Sequence, residues 1–152
     1  MDTEARERIA IVRQVSPHWS VAIPSAFEEM YVEEGEGYWH ARDSERSVSL
    51  TSVVVHDEHG PVPAASLVEQ IPPPEGNRVE ILPKGLAGWA VETEADPSAV
   101  ASRAVSGLLA VDGHLLLATV TGDDHDWVSR TWRSIRYLER GWPERPYCEG
   151  TP

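Results

Sequence analysis

Cysteine occurs once, at Cys148, so no internal disulfide can staple the chain. In a tail it has no helix terminus or fixed histidine to activate it. Lysine and asparagine also occur once each, as Lys84 and Asn77. Base composition in a GC-rich genome accounts for both, so no arginine-specific chemistry follows. No apolar run approaches the roughly 20 residues that span a bilayer. The acidic opening Met1-Asp2-Thr3-Glu4-Ala5-Arg6-Glu7 does not read as a secretory leader, and none is expected. A cytoplasmic location is the default expectation. Catalytic signatures are missing too. Ser106-Gly107 lacks the preceding glycine of a nucleophile elbow. No glycine-rich phosphate loop appears, and Gly85, Gly88 and Gly107 read as bulges in strand-like sequence. There are no internal repeats.

The 152 residues suit a single domain, spanning 1–152, and 41% of them are hydrophobic. That is too apolar for a disordered chain and long enough to bury a real core. Thirteen Lys and Arg face 25 Asp and Glu, a net charge of −12. A field of that sign repels phosphate backbones and anionic lipid, which argues against nucleic acid and membrane partners.

The patterns predict these elements in order. Residues 3–15 read as a helix, with Glu4 and Arg8 spaced to pair; residues 1–16 are thus an N-terminal helix ended by Pro17. Trp19–Pro24 alternates as a short strand. Residues 28–36 carry five glutamates around Met30 and Val32, and a turn follows at Gly35-Glu36-Gly37. Tyr38–Arg42 is the next strand, and Arg46–His56 is rich in β-branched residues. Pro63 opens a short helix with Leu67, Val68 and Ile71 on one side. Arg78–Leu82 and the alternating stretch from Ala87 are strands. Arg103–Val111 and His114–Thr121 form a hairpin about Asp112-Gly113. Leu115, Leu116 and Leu117 in a row imply burial on both faces. A final helix over 125–138 places Trp127, Val128, Thr131, Trp132, Ile135 and Leu138 in one arc of roughly 140°. Residues 17–138 are the core and 139–152 a loosely held tail. The fold class is α+β, a single antiparallel sheet of about five to seven strands flanked by helices.

Three stretches carry a family resemblance: Trp19-Ser20-Val21-Ala22-Ile23-Pro24, Leu86-Ala87-Gly88-Trp89-Ala90-Val91, and the helix from Asp126-Trp127 to Trp132-Arg133-Ser134-Ile135-Arg136. Together with the element order, they resemble the PsbP-like fold family, the group of PsbP and the Ran-binding Mog protein. The resemblance spans about residues 17–138. It implies an antiparallel sheet between helices, and a binding or scaffolding role with no catalytic residues to transfer. The N-terminal helix departs from that family's core.

The remaining candidates are clusters. His56-Asp57-Glu58-His59 offers metal-type ligands, but on a turn adjacent side chains point apart, so a solvated turn is the better reading. Asp123-Asp124-His125-Asp126 lies where the last helix begins. Asp123 as a cap there explains it better than calcium does. No metal, no cofactor and no catalytic residue is expected. Of six tryptophans, Trp19, Trp89, Trp127 and Trp132 fit core positions. Trp39, with Tyr38, and Trp142 are the expected interaction surface, because exposed aromatics mark binding hot spots. The expected function is a non-enzymatic interaction or scaffold domain, meeting a basic protein partner or its own copy. The alternative is a small enzyme or ligand carrier with a pocket between sheet and helix.

Overall fold

Asp112-Gly113 closes the hairpin at the centre of the molecule. In a computed structural model, described over residues 10–16, 18–31, 37–75, 77–79, 82–94 and 103–139, β10 (Arg103–Val111) and β11 (His114–Gly122) pair antiparallel from Val111↔His114 to Arg103↔Gly122. Gly113 takes φ +80°, which its lack of a Cβ permits. Around this hairpin a seven-stranded antiparallel sheet grows in both directions. On one side lie β5 (Ser47–Val54), β4 (Tyr38–Arg42) and β3 (Glu28–Tyr31); on the other, β9 (Ala87–Glu94) and β8 (Asn77–Arg78). The strand read at Arg78–Leu82 is therefore two residues, Asn77–Arg78; residues 80–81 lie outside the described chain.

The expectation of one sheet fails. A second, three-stranded sheet runs in the order β1 (Ala10–Ser16), β2 (Trp19–Pro24), β12 (Arg136–Tyr137). A two-stranded arm pairs β6 (His56–Asp57) with β7 (Gly60–Pro61). Two helices complete the described residues, α1 (Ala64–Gln70) and α2 (His125–Arg133).

Two differences from expectation have a common cause. Residues 10–16 form strand β1, not a helix; residues 1–9 lie outside the described chain. β1 pairs with β2 from Ala10↔Pro24 to Ser16↔Trp19. The β-branched run Ile11-Val12 suits that pairing, and tertiary contact overrides a weak helical spacing. Likewise the last helix stops at Arg133, not 138. The Ser134 hydroxyl turns back to donate to the Thr131 carbonyl at 2.6 Å and accepts the Ala22 amide at 3.0 Å. Arg136 and Tyr137 then pair with Ser20 and Trp19 as β12.

The inner face of the large sheet carries the main core. Trp39, Leu50, Leu109, Leu116, Ala118 and Val120 meet Trp19, Val21 and Ile23 of β2 and Trp127, Val128, Trp132 and Ile135 of the α2 segment. The arginines of that segment, Arg130, Arg133 and Arg136, are exposed, as the arc predicts. Gly107 is not a bulge, since β9 and β10 keep register through Gly107↔Ala90. A side chain there would overlap the Trp132 ring, so the glycine makes room for it. Gly85 belongs to a turn with φ +78°.

On the outer face, α1 covers only one side. Leu67 and Val62 pack there on Leu108, Ala110 and Leu115. Pro63 offers no side-chain cap to α1; instead the Asp112 carboxylate accepts the Ala64 amide at 2.9 Å. The hairpin tip thus anchors the helix start.

Candidate functional site

Alternation decides which side chains β4, β5 and β11 send outward. Trp39 lies opposite Leu50, and Tyr38 opposite Thr51, so the two aromatics of β4 face opposite sides of the sheet. Trp39 is 1% exposed. It is a core residue and not part of an interaction surface. Its indole Nε1 donates to Glu29 Oε1 at 3.1 Å, while Glu29 Oε2 takes Arg13 Nε at 2.9 Å. The tryptophan therefore anchors a link that ties β1 to β3. Trp142 lies outside the described residues, as does Cys148. Tyr38 is 36% exposed.

Tyr38 belongs to a patch that the sequence reading did not assemble. Three further apolar side chains on β3, β5 and β11 stand free: Met30 (45% exposed), Val53 (41%) and Leu117 (42%). Leu117 pairs with Thr51, whose other neighbour is Tyr38, so these three form one row across the sheet. The three-leucine run is thus split. Leu115 lies under α1, Leu116 is in the main core, and Leu117 is open. The central position of β11 was legible, but how far α1 reaches was not.

The next row is polar and joined laterally. His40 Nδ1 meets Ser49 Oγ at 2.7 Å, and Ser106 Oγ meets Thr119 Oγ1 at 3.1 Å. The Tyr38 and His40 rings are parallel, with centroids 6.4 Å apart. Partial burial, and then the Arg42 charge, hold the His40 pKa below its usual value. At neutral pH its imidazole is therefore uncharged. The result is a ledge beside α1, apolar along Tyr38 and Leu117 and polar along His40, Ser49 and Thr119.

The two His/Asp clusters have structural uses. Asp57 Oδ1 accepts the His59 amide at 2.8 Å inside the β6–β7 turn. Asp124, not Asp123, caps α2, its carboxylate accepting from Asp126 N at 3.0 Å and Trp127 N at 3.4 Å. Among the described residues no group of three or more His, Cys, Asp or Glu side chains is arranged to hold a metal ion. Nor is any described helix long and apolar enough to cross a membrane.

Two hollows flank α2. A groove of about 870 Å³ runs between its start, β2 and the Asp43–Arg46 turn, with Asp123, Asp124 and Arg130 on its rim. A smaller one of about 380 Å³ lies between α2 and β8–β10. Val105 and Trp132 form its floor and Arg78, Glu92, His125 and Arg133 its rim. Glu92 there holds Arg103 at 2.9 Å and faces His125 at 3.6 Å. No family model matches the chain, and no curated protein matches it.

Proposed function

We propose that this chain is a non-enzymatic protein-interaction domain, of PsbP-like type and cytoplasmic, that binds through the outer face of its large sheet. The observation that carries the reading is the exposed row of Tyr38, Thr51 and Leu117 beside α1. Aromatic side chains such as Tyr38, and methionines such as Met30, are enriched at protein interfaces. The net charge of −12 and the glutamates of residues 28–36 favour a basic partner. The resemblance to PsbP-like domains, with their binding and scaffolding roles, points the same way.

A photo-cross-linking residue at position 38, compared with one at position 133, tests this in an extract of the native cell. Adducts form at position 38, fade as salt rises, and drop about tenfold or more with Leu117→Asp. Equal labelling at both positions would sink the reading.

The second reading is a ligand carrier. It rests on the hollow between α2 and β8–β10, where polar groups converge over an apolar floor. A small-molecule thermal-shift screen separates the two. Stabilisation cancelled by Arg133→Ala, with position 38 unlabelled, would favour the carrier.

A further inference from the structure

Three of the six histidines meet at one end of the sandwich, each delivered by a different segment. His18 lies in the turn between β1 and β2, His56 in β6, and His114 opens β11. The rings of His18 and His114 are 4.7 Å apart between centroids. Both pack on Tyr137 of β12, at 5.6 Å for His18, nearly parallel, and 5.2 Å for His114. His56 stands beside the hairpin turn; its Nε2 lies 3.4 Å from where a Cβ on Gly113 would be.

His18 also grips the chain as it leaves β12. The Leu138 amide donates to the His18 carbonyl at 2.7 Å. His18 Nδ1 in turn lies 3.1 Å from the Leu138 carbonyl oxygen. A carbonyl only accepts, so Nδ1 carries the hydrogen and Nε2 is the nitrogen that takes a proton. The same end is tied to the β6–β7 arm. The Val55 amide donates to Gly113 O at 2.9 Å, and the Gly113 amide to Val62 O at 2.8 Å.

We propose that His18, His56 and His114 form a proton-responsive clamp that holds Leu138 against the sandwich when neutral and releases it in mild acid. An imidazolium at His18 keeps the Nδ1–H bond to Leu138 and lies on the Tyr137 face. Charge on His114 beside it puts two like charges at ring contact, and charge on His56 adds to them. The end then relaxes by moving His18 away, and the Leu138 bonds go with it.

Charged groups of both signs stand nearby. Asp112 of the hairpin is engaged by the Ala64 amide. Asp57 accepts the His59 amide, and Glu58 lies 3.6 Å from His59 on the same arm. Arg136 donates to the Ile135 carbonyl and adds positive charge. Glu139 lies beside Tyr137 and Lys84 lines the same groove, opposite in sign to each other. His114 is already held below its usual pKa, first by burial and then by the charges of His18 and His56.

Amide hydrogen exchange on the full chain, read residue by residue at about pH 7.5 and 5.5, tests the clamp. Corrected for intrinsic rates, Leu138 protection falls in acid about tenfold or more beyond whatever global loss Leu116, deep in β11, records. His114→Gln abolishes the loss, and His56→Gln reduces it, which keeps the test alive if the first variant folds poorly. Three results would overturn the proposal: unchanged Leu138 protection, a parallel fall at Leu116, or both variants behaving as the parent.

Discussion

Arg46 stands with its guanidinium 5.1 Å from the centre of the Trp127 ring and 5.4 Å from that of Phe27. Asp43 holds it from the other side, through Nε at 3.1 Å and Nη2 at 2.6 Å. The turn between β4 and β5 is thereby fastened to the start of α2. Planarity allows one group to do both, stacking on rings while a carboxylate takes its edge. Arg46→Lys keeps the charge but loses the fork and the stack. It should cost about 1–2 kcal/mol, given roughly 0.5–1 for each cation–π contact and a partly shielded pair. Urea melts of Arg46→Lys and Arg130→Ala give the comparison. Equal midpoints would mean that Arg46 does not fasten the turn.

Trp132→Ala should cost about 3–5 kcal/mol, through lost burial and an unfilled cavity. Arg133→Ala, one residue on and exposed, should cost about 0.5 kcal/mol or less. Gly107→Ala approaches the same tryptophan from the sheet, and overpacking there should cost about 1–3 kcal/mol. The double variant Gly107→Ala with Trp132→Phe should recover part of that loss, because the smaller ring leaves space. Simple additivity in denaturant melts would show that the two positions do not compete.

Mild acid should weaken the fold through two of its histidines. His40 and His114 are both held below the usual histidine value, mainly by burial. The unfolded chain therefore binds the proton more tightly than the native one. Their contribution is fully present above the unfolded value of about 6.5 and is lost as pH falls from there through the lower folded values. Asp43 acts at lower pH. Burial alone would raise its pKa, but bonds from Arg46 and the Glu45 and Arg46 amides, with the Arg46 charge, hold it down. Its share is lost as pH falls below about 3.8. Melting temperatures from pH 8 to 5 for the parent and His114→Gln reveal the first phase. A flat profile in the parent would contradict it.

Neither His/Asp cluster should bind metal tightly. Asp124 is spent on the α2 cap and Asp57 on its own turn. A cation would have to displace these hydrogen bonds to recruit either carboxylate. Isothermal titration with zinc and with calcium should show no saturable site at micromolar metal. Binding at either cluster that Asp124→Ala or His59→Ala removes would prove otherwise.

Local chemistry was enough to place the hairpin, because Asp112-Gly113 between apolar runs needs nothing beyond its neighbours. The strand Trp19–Pro24 and the buried faces of Trp127 and Trp132 were legible for the same reason: a period of two or of 3.6 sorts side chains without knowing their partners. From the sequence, Tyr38 and Trp39 read together as one surface. Pairing in β4 sends them to opposite faces, and no local pattern says which face is covered. That depended on β2 and α2 closing over Trp39 while α1 stopped short of Tyr38 and Leu117. Strand β1, the early end of α2 and the split of the sheet were also decided by tertiary contact. Residues 10–16 and 136–137 have weak preferences of their own, and the open edges of β2 offered them backbone hydrogen bonds that no local pattern encodes. The meeting of His18, His56 and His114 lies furthest from the sequence. Ninety-six positions separate the first from the last, and only the stacking of separate turns at one end of the sandwich brings their charges within reach.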